Sequence, residues 1–424
     1  MLMLWYPTRG SVERRRGSYQ MKKIRIIIAG GGPVGVVAAL ACAQRGYAVT
    51  LLEAESTIDD NPRAATTHPS TLEMIARVGL IDQFIQEGLV ARFFQFWDKP
   101  ARAQIVEFDH DTLRDETPYP FVVQTEQHKL ARMGIERLRT FADAKVRFAT
   151  RVTGVTQDAN GATVTAEGPD GKESFRGDYV IGADGGRSTV RKALDIEFEG
   201  FTWPERFLVL TTLDDFQELL TGCCYRNYLA DPDEWTNLFK VAGDDGKGRW
   251  RAVFPTRVEE SDEEALGDES TYSRLQRVFP LGRRYNVVHR NLYKVHQRVA
   301  ATFRQGRVFL AGDSAHVNNS VGGLGLNGGI HDAMELVDTL HQVITGQAGE
   351  ELFDRYTRRR RTLNIEFVQE QTIINKKRLE ERDPKARQAR FDELRAIAED
   401  RGKHTEFLLR TSLIASVRKA QSME

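Results

Sequence analysis

The 424-residue sequence has few cysteines, and Cys42, Cys223 and Cys224 are its only thiols. So few thiols in so long a chain exclude a disulfide framework and are typical of proteins in a reducing compartment, which predicts a cytoplasmic protein. The nine histidines are scattered, and no cysteines and histidines share the spacing of a zinc site, so no metal is expected.

An excess of charge of either sign is also missing, because 60 Lys and Arg residues balance 60 Asp and Glu residues. Without a basic excess the chain has little with which to neutralise phosphates, so nucleic acid is not expected as a partner. No stretch of about 18 apolar residues occurs, and no membrane span is predicted. The one dense run of like charge, Arg358–Arg361, is interpreted as a solvated helix face.

What the sequence does contain, 41% hydrophobic and 28% charged residues, is ordinary for a globular enzyme with a sizeable core. Residues 1–20 place apolar residues before basic ones, which reverses the order of a secretory signal. We expect this segment to be a disordered extension and the fold to start at Met21.

The first pattern with chemical content is a glycine-rich turn near the start of the chain. A β-branched run, residues 24–29, predicts a buried parallel strand. Gly30, Gly32 and Gly35 follow in the spacing G-x-G-x-x-G, which permits a tight turn, close approach to a pyrophosphate and close helix packing. A helix, a second strand and Glu53, placed to accept hydrogen bonds from a ribose, complete the unit. The pattern predicts a site for the adenosine half of FAD or NAD and does not decide between them.

Two further strand-to-turn signals lie far along the chain. The apolar run 179–181 leads into Asp184-Gly185, and the apolar run 308–311 leads into Gly312-Asp313. A glycine-dense loop then precedes a helix that we expect to begin near Asn327. The amides and dipole at the start of that helix would face an anionic group.

Period-2 alternation marks two other regions. Residues 151–185 alternate around "ANG" and "PDG" turns, which predicts a β-meander. Residues 197–290 contain four short alternating strands, which predict an antiparallel sheet on which Arg249 and Arg251 are interpreted as solvated. Residues 346–424 are charged and have helical periodicity, and packing on their own chain is favoured over packing on a partner subunit.

Together, the three glycine signals resemble the FAD-dependent aromatic hydroxylases, the single-component flavoprotein monooxygenases related to p-hydroxybenzoate and phenol hydroxylases. The resemblance covers residues 22 to about 345 and is weakest between 197 and 290. It implies an α/β fold with a Rossmann-like FAD-binding domain, in which a parallel sheet and a β-meander form a three-layer structure from 21–196 and 291–345. A mainly antiparallel substrate domain, 197–290, is inserted, and a helical region, 346–424, follows.

The resemblance also implies which residues contact the cofactor. The first turn and Glu53 would bind the ADP half of FAD, Asp184 would serve both FAD and NAD(P)H, and Asp313 would lie at the ribityl–pyrophosphate region. The residues implied to bind cofactor are Gly30, Gly32, Pro33, Val34, Gly35, Glu53, Arg63, Gln124, Asp184, Gly312, Asp313, Ser320, Gly323, Gly325, Leu326 and Asn327.

The implied activity is hydroxylation of a small aromatic or N-heteroaromatic, phenol-like substrate with FAD, NADPH or NADH, and O2, through a flavin C4a-hydroperoxide. A monomer or a homodimer is expected. Two alternatives stay open: an FAD-dependent oxidoreductase that inserts no oxygen, and a flavin-binding protein without turnover. No catalytic base is identified, because His68 and His316 are interpreted as structural residues.

One position departs from the family pattern. Ser320 stands where these hydroxylases usually have a proline, close to the place where the C4a adduct forms. A proline fixes φ and lacks an N–H donor, so Ser320 restores backbone freedom and adds a hydroxyl at this point.

Overall fold

A computed structural model describes residues 23–61 and 65–424 of the chain. The expected N-terminal extension, residues 1–20, and the expected cofactor contact Arg63 lie outside the described residues. No helix in the described part is long and apolar enough to cross a bilayer.

The first sheet is built on the β-branched strand that the sequence predicts. Its six strands, in spatial order, are β18 (Arg304–Gln305), β19 (Val308–Leu310), β12 (Tyr179–Gly182), β1 (Arg25–Ala29), β2 (Ala48–Leu52) and β8 (Ala144–Arg147). Strand β1 pairs in parallel with β12 and β2, and β12 pairs in parallel with β19. The carboxyl ends of β1, β12 and β19 therefore lie side by side, and the three glycine signals that follow them meet at one edge of the sheet.

Both faces of this sheet are covered, which explains why Ile26, Ile27 and Ile28 of β1 are all buried. Helix α1 contacts its two neighbours on one face, and an antiparallel meander covers the other. The helices are α1 (Pro33–Gln44), α4 (Gln127–Leu138) and α9 (Leu324–Ile344), and the meander strands are β9 (Arg151–Asp158), β10 (Gly161–Gly168) and β11 (Gly171–Gly177). The predicted three-layer α/β fold is confirmed.

The second sheet is mainly antiparallel, as the alternation in the sequence predicts. Its eight strands, in spatial order, are β20 (His316–Val317), β17 (Val287–Ala300), β13 (Phe198–Thr212), β16 (Arg249–Pro255), β15 (Thr236–Val241), β14 (Arg226–Ala230), β5 (Phe93–Asp98) and β6 (Ala103–Asp109). Only β14 and β5 pair in parallel. The sheet thus takes strands from chain on both sides of residues 197–290.

Smaller elements connect the two sheets. A third sheet joins β3 (Thr66–Thr67), β7 (Val122–Gln124) and β4 (Leu89–Ala91). The remaining helices before residue 346 are α2 (Pro69–Arg77), α3 (Ile81–Gln86), α5 (Thr189–Ala193), α6 (Phe216–Leu219), α7 (Asp262–Leu266) and α8 (Asp268–Val278).

The C-terminal region is helical and packs on its own chain. Helix α10 contacts α9 and strand β18 of the first sheet, whereas α11 and α12 contact β14 and β6 of the second sheet. Its helices are α10 (Glu351–Leu363), α11 (Glu370–Leu379), α12 (Pro384–Glu399), α13 (Arg401–Thr411) and α14 (Ile414–Ser422). This region therefore touches both large sheets and helps to join them.

Each of the two groups of arginines interpreted as solvated contains one residue for which that interpretation is wrong. Arg360, within the basic run, is 3% exposed, and its Nε donates to Oδ1 of Asp332 at 2.7 Å. Arg251 is also 3% exposed, and its Nη2 lies 4.0 Å from Oε1 of Glu126, whereas Arg249 is half-buried. Both buried guanidiniums have a carboxylate within ion-pair distance, which offsets the cost of removing the charge from water.

Candidate active site

The turn after β1 requires glycine at two positions. Gly30 has a φ of +107°, and a Cβ there would lie 2.2 Å from the carbonyl oxygen of Ala183. A Cβ on Gly35 would lie 2.0 Å from the carbonyl oxygen of Gly30, whereas a Cβ on Gly32 would meet no atom within 4 Å. The turn therefore packs closely against backbone at Gly30 and Gly35 but leaves open space at Gly32. The next residue, Pro33, begins α1. That opening leaves space for a pyrophosphate at the start of a helix.

Two side chains tie this turn to its surroundings. A Cβ added to Gly312 would lie 3.0 Å from Cγ2 of Val34, so the first and third glycine signals are in contact. Glu53 is half-buried, and its Oε2 accepts a hydrogen bond from the Gly31 amide at 2.6 Å. Because a carboxylate offers about four lone-pair sites, Glu53 can brace the turn and still accept from a ribose.

Asp184 follows β12 and faces the start of α5. Its carboxylate accepts hydrogen bonds from Ser188 Oγ at 2.5 Å and from the amides of Thr189 and Val190 at 2.7 and 3.0 Å. Burial raises the pKa of this carboxyl even though these bonds oppose the shift. The side chain fixes the loop after β12, directly beside the turn at Gly30.

The turn at Gly312-Asp313, which is the third glycine signal, is fixed by the buried carboxylate of Asp332. Oδ2 of Asp332 accepts the Gly312 amide at 3.0 Å and lies 2.6 Å from Nε2 of His316, while Oδ1 accepts from Arg360. Burial by itself would raise the pKa of Asp332, but the His316 imidazole and the Arg360 guanidinium outweigh it and hold the pKa below its usual value. His316 is therefore in the core, whereas Asp313 is exposed on the turn.

The glycine-dense loop ends earlier than the sequence predicts. Helix α9 begins at Leu324, about one turn before Asn327, because Gly323 adopts a left-handed conformation with φ of +69° and caps the helix. Nδ2 of Asn327 donates to the carbonyls of Thr66 and Gly323 at 2.9 and 2.6 Å, and its Oδ1 accepts from the His68 amide at 2.9 Å. Asn327 thus connects the first turn of α9 to β3 and to the start of α2.

Gln124, on β7 beside the same loop, has an unused donor. Its Oε1 accepts from Thr66 Oγ1 at 2.8 Å, but its Nε2 is buried without a hydrogen-bond partner among the described residues. An unpaired buried donor is costly, and a ligand with a carbonyl or a ring nitrogen would satisfy it. The unpaired donor of Gln124 and the open space at Gly32 fit the two ends of FAD. The amides of Gly325 and Leu326 lie in the first turn of α9, directly after the glycine-dense loop.

Ser320 also has a defined partner. Its Oγ lies 2.9 Å from the hydroxyl of Tyr293 on β17, and Ser320 itself is exposed. Burial raises the pKa of Tyr293 to about 12, so the phenol stays protonated at neutral pH. The hydroxyl that replaces the family's usual proline therefore joins the glycine-dense loop to the second sheet.

A cleft lies between the second sheet, the glycine-dense loop and the C-terminal helices. Aromatic rings dominate its walls: Phe96 stacks on Tyr228 at 5.3 Å, and Phe94 stacks on Phe407 at 6.4 Å. The other residues that line it are His68, His110, Arg226, Gly322, Leu324, Gln371, Asn375 and Thr411. We call this space the aromatic cavity. Its shape and composition suit a small aromatic ring.

Among the described residues, Arg226 is the one charged side chain that lines the aromatic cavity. It is 4% exposed, and its Cζ lies 5.2 Å from the centre of the Phe94 ring. Its Nη2 reaches the Tyr228 hydroxyl at 3.4 Å, while its Nη1 is buried without a partner among the described residues.

Two neutral histidines share the cavity with this cation. Nε2 of His68 lies 2.9 Å from the Gly322 carbonyl oxygen, and Nδ1 of His110 lies 2.8 Å from the Arg92 carbonyl oxygen. Because a carbonyl only accepts, these nitrogens carry the protons and the other ring nitrogens carry lone pairs. Burial and then the charge of Arg226 lower the pKa of each histidine to about 3, so both are neutral at pH 7.

The predicted cofactor residues fall into two groups. One group meets at the ends of β1, β12 and β19, and the other surrounds the glycine-dense loop. The first contains Gly30, Gly32, Pro33, Val34, Gly35, Glu53, Asp184, Gly312 and Asp313, and the second contains Gln124, Ser320, Gly323, Gly325, Leu326 and Asn327.

Sequence reasoning missed the aromatic walls and Arg226. The aromatic-rich stretch "FFQFW", residues 93–97, could have been found as a strand that places Phe94 and Phe96 on the same face. Arg226 and Tyr228 also alternate on β14, but nothing local indicates that Phe407, about 180 residues later, completes the same wall.

Comparisons with known proteins agree with this geometry. A family model described as an FAD binding domain matches residues 23–371. The chain is 33% identical over 386 residues to para-nitrophenol 4-monooxygenase of Pseudomonas sp. (strain WBC-3), covering 91% of this chain and 94% of that protein. It is 34% identical over 367 residues to 6-hydroxy-3-succinoylpyridine 3-monooxygenase HspB of Pseudomonas putida (strain DSM 28022 / S16), covering 85% and 90%. The crystal structure of p-nitrophenol 4-monooxygenase PnpA from Pseudomonas putida DLL-E4 superimposes with a TM-score of 0.85 at 32% identity, covering 92% of this chain and 98% of that one.

Proposed function

This chain belongs to the FAD binding domain family and is an FAD-dependent aromatic monooxygenase, and from that premise we propose that it hydroxylates a small phenol or hydroxylated N-heterocycle in the aromatic cavity. NADH or NADPH is the electron donor and O2 the oxygen donor. The observation that carries the proposal is the position of the cavity, whose wall includes Gly322 and Leu324 of the glycine-dense loop. The cavity therefore adjoins the same loop as the proposed cofactor residues.

FAD supplies the electron transfer and oxygen activation when it is bound. We propose that the turn at Gly30 to Gly35 and Glu53 hold its ADP half, and that Asp313 accepts from its ribityl hydroxyls. The Nε2 of Gln124 and the backbone of residues 325–327 would donate to its ring, which satisfies the unpaired amide. Asp184 and Ser320 position the neighbouring loops through the contacts described above.

The aromatic cavity orients the substrate and keeps water away from it. Stacking between the substrate ring and walls such as Phe94 and Phe96 contributes about 0.5–1.5 kcal/mol beyond burial and fixes the plane of the ring. The C-terminal helices close the opposite side: Nε2 of Gln371 donates to Oδ1 of Asn375 at 2.9 Å, and Nδ2 of Asn375 donates to the Val321 carbonyl at 3.2 Å. Because these amides bond to each other and to the loop, they close this side of the cavity, and a closed site protects reactive chemistry from solvent.

The named relatives support a single-ring substrate with oxygen on the ring. One relative is a monooxygenase of para-nitrophenol and another of a hydroxylated, succinoyl-substituted pyridine, by their names. The aromatic rings that line the cavity are surfaces on which one such ring can stack. These relatives also favour oxygen insertion over a flavin oxidoreductase without it.

The proposal is tested with the FAD-loaded enzyme and a panel of p-nitrophenol, hydroxypyridines and 3-hydroxyphenylpropionate. We expect at least one of them to accelerate NADH or NADPH oxidation and to incorporate isotope-labelled oxygen from O2 into its ring. Acceleration without label in the product would indicate a flavin oxidoreductase that inserts no oxygen. No acceleration by any ring compound would contradict the proposed substrate class.

We further propose a monomer or homodimer that works in the cytoplasm. The three cysteines are free thiols, and burial raises the pKa of the Cys42 thiol to about 12, so it resists oxidation and fits a reducing compartment. Light scattering coupled to size-exclusion chromatography decides between the two assemblies.

A further inference from the structure

We infer that Arg226 recognises the substrate by binding an ionised oxygen on the aromatic ring, so that the cavity selects phenolates over neutral arenes. The inference deepens the proposed function and rests on it, because it names the substrate class of the same site. It makes Arg226 a specificity-determining residue that contacts the substrate.

The first support is that Arg226 lacks an acidic partner. It is nine-tenths buried, yet it makes no ion pair with the described carboxylates, and its Nη1 has no hydrogen-bond partner there. The acids on the nearby strand β6 are engaged elsewhere, since Asp109 pairs with Arg92 at 2.5 Å and Glu107 accepts from Gln95 at 2.7 Å. Arg360, Arg251 and Arg274, by contrast, are buried arginines with a carboxylate within ion-pair distance.

The second support is the charge of the cavity as a whole. Its other lining residues are apolar or neutral, including His68 and His110, which are uncharged at pH 7. The lining formed by residues 65–424 therefore carries one positive charge and no negative charge. An isolated buried charge is expensive, and a ligand with a single negative charge converts it into a buried ion pair with charge-assisted hydrogen bonds.

The third support is the orientation that the neighbouring groups would impose on a bound aromatic ring. Nδ1 of His68 is buried without a partner and carries a lone pair, so it repels an anionic oxygen. Arg226 lies over the Phe94 ring, with Nη1 unused at the edge of the aromatic walls. A ring stacked in the cavity would thus place its ionised oxygen at Arg226 and away from His68.

A second buried arginine lies close by and provides a control. Cζ of Arg378 is 6.0 Å from the rings of Phe96 and Phe407, but Arg378 does not line the cavity. The charge of Glu393 favours its ionised form, and its Nε and Nη1 are buried without a hydrogen-bond partner among the described residues, as Nη1 of Arg226 is. Arg378 therefore contributes positive charge from behind the wall without offering a donor to a ligand.

The test uses p-nitrophenol as the probe, because its phenol and phenolate forms have different absorption spectra. It is titrated into the oxidised, FAD-loaded enzyme at a pH below its own pKa in water. We expect the bound probe to show the phenolate spectrum in the wild type and in Arg226→Lys, which keeps the charge. In Arg226→Met the bound probe should show the phenol spectrum, and its affinity at high pH should fall about 100-fold, which is the scale of one charged hydrogen bond.

Two controls separate recognition from folding. 4-Nitroanisole, which cannot ionise, should bind the wild type and Arg226→Met with the same affinity, and Arg378→Met should keep the phenolate spectrum. A phenolate spectrum in Arg226→Met, or an equal loss in Arg378→Met, would overturn the inference. So would a wild type that binds the neutral phenol or that prefers benzoate to p-nitrophenolate.

The experiments distinguish a failure of this inference from a failure of the proposed function. If the wild type incorporates labelled oxygen but Arg226→Met binds phenolate normally, the inference fails and the hydroxylase proposal stands. If no ring compound is hydroxylated while anion binding still depends on Arg226, the proposed function fails and the binding site stands.

Discussion

Nε of Arg360 lies 2.7 Å from Oδ1 of Asp332, and both side chains are buried. Arg360 belongs to α10 in the C-terminal region, and Asp332 belongs to α9, where its second oxygen accepts the Gly312 amide. This pair connects the C-terminal helices to the turn that follows β19. The region beyond residue 346 therefore supports the proposed cofactor site as well as the aromatic cavity.

Replacing Arg360 with methionine is expected to destabilise the protein strongly. The change leaves Asp332 buried next to His316 without its guanidinium partner, and breaking a buried pair in this way costs about 3–5 kcal/mol. Urea denaturation of the FAD-loaded enzyme measures the free energy of unfolding. Arg358→Met, at an exposed position of the same helix, is the matched control and should change it by less than about 0.5 kcal/mol. Equal stabilities of the two variants would show that the pair contributes nothing.

Acid is expected to destabilise the fold from about pH 6.5 downward. Burial lowers the pKa of His68, His110 and His331 to about 3 in the folded protein, from 6.5. The folded pKa is the lower one, so the unfolded chain takes up protons first. Stability is thus intact above pH 6.5 and falls by about 1.4 kcal/mol per pH unit for each histidine until about pH 3.

Urea titrations at several pH values between 7.5 and 5 measure this slope. His331→Asn should remove about a third of it, because one of three buried imidazoles is gone. A stability that does not change between pH 7 and 5 would contradict the buried, neutral state of these histidines.

Substituting alanine at Gly32 is expected to weaken FAD binding without harming the fold. A Cβ there meets no protein atom within 4 Å, so the unfolding temperature of the flavin-free protein should not change. The same methyl group would fill the space proposed for the pyrophosphate, and we expect the Kd for FAD to rise at least about tenfold. Flavin fluorescence titration measures the Kd.

Gly402→Ala, on α13 outside the turn, is the matched control. A Cβ on Gly402 would lie 3.3 Å from Oδ1 of Asp400, so the variant should fold and bind FAD as the wild type does. If Gly32→Ala bound FAD equally well, the pyrophosphate would not lie against this turn.

Phe407→Ala is expected to raise KM for the ring substrate more than it lowers kcat. Phe407 stacks on Phe108 at 4.6 Å and lines the aromatic cavity, so its removal deletes one wall. A lost stacking contact of about 0.5–1.5 kcal/mol corresponds to an increase in KM of about two- to tenfold. Steady-state kinetics with p-nitrophenol measure both constants. Phe391→Ala, which removes a buried ring from α12 outside the cavity, should lower stability and leave KM unchanged.

The sequence predicted the parts of the structure that depend on local patterns. A β-branched strand followed by Gly30, Gly32 and Gly35 is a strong local signal. The tight turn that it predicts requires glycine at positions 30 and 35, because a side chain there would collide with backbone. The β-meander and the antiparallel sheet also follow from period-2 alternation. These features predict a dinucleotide-binding fold, and the family resemblance of the three glycine signals then implies FAD.

The substrate side of the site depends on contacts that no local pattern contains. Arg226 and Phe94 lie on neighbouring strands that pair across more than a hundred residues, and Phe407 reaches them from the C-terminal helices. The burial of Arg360 was missed for the same reason, because four consecutive arginines look solvated until Asp332 is placed beside one of them. Tertiary packing, rather than propensity, decides the environment of such residues.

The most direct test is a structure of the enzyme with FAD and p-nitrophenol bound. We predict FAD along the ends of β1, β12 and β19 with its ring at Gln124, and the nitrophenol ring in the aromatic cavity with its ionised oxygen within hydrogen-bonding distance of Arg226. A nitrophenol ring bound outside the aromatic cavity, or with its oxygen turned away from Arg226, would contradict the account.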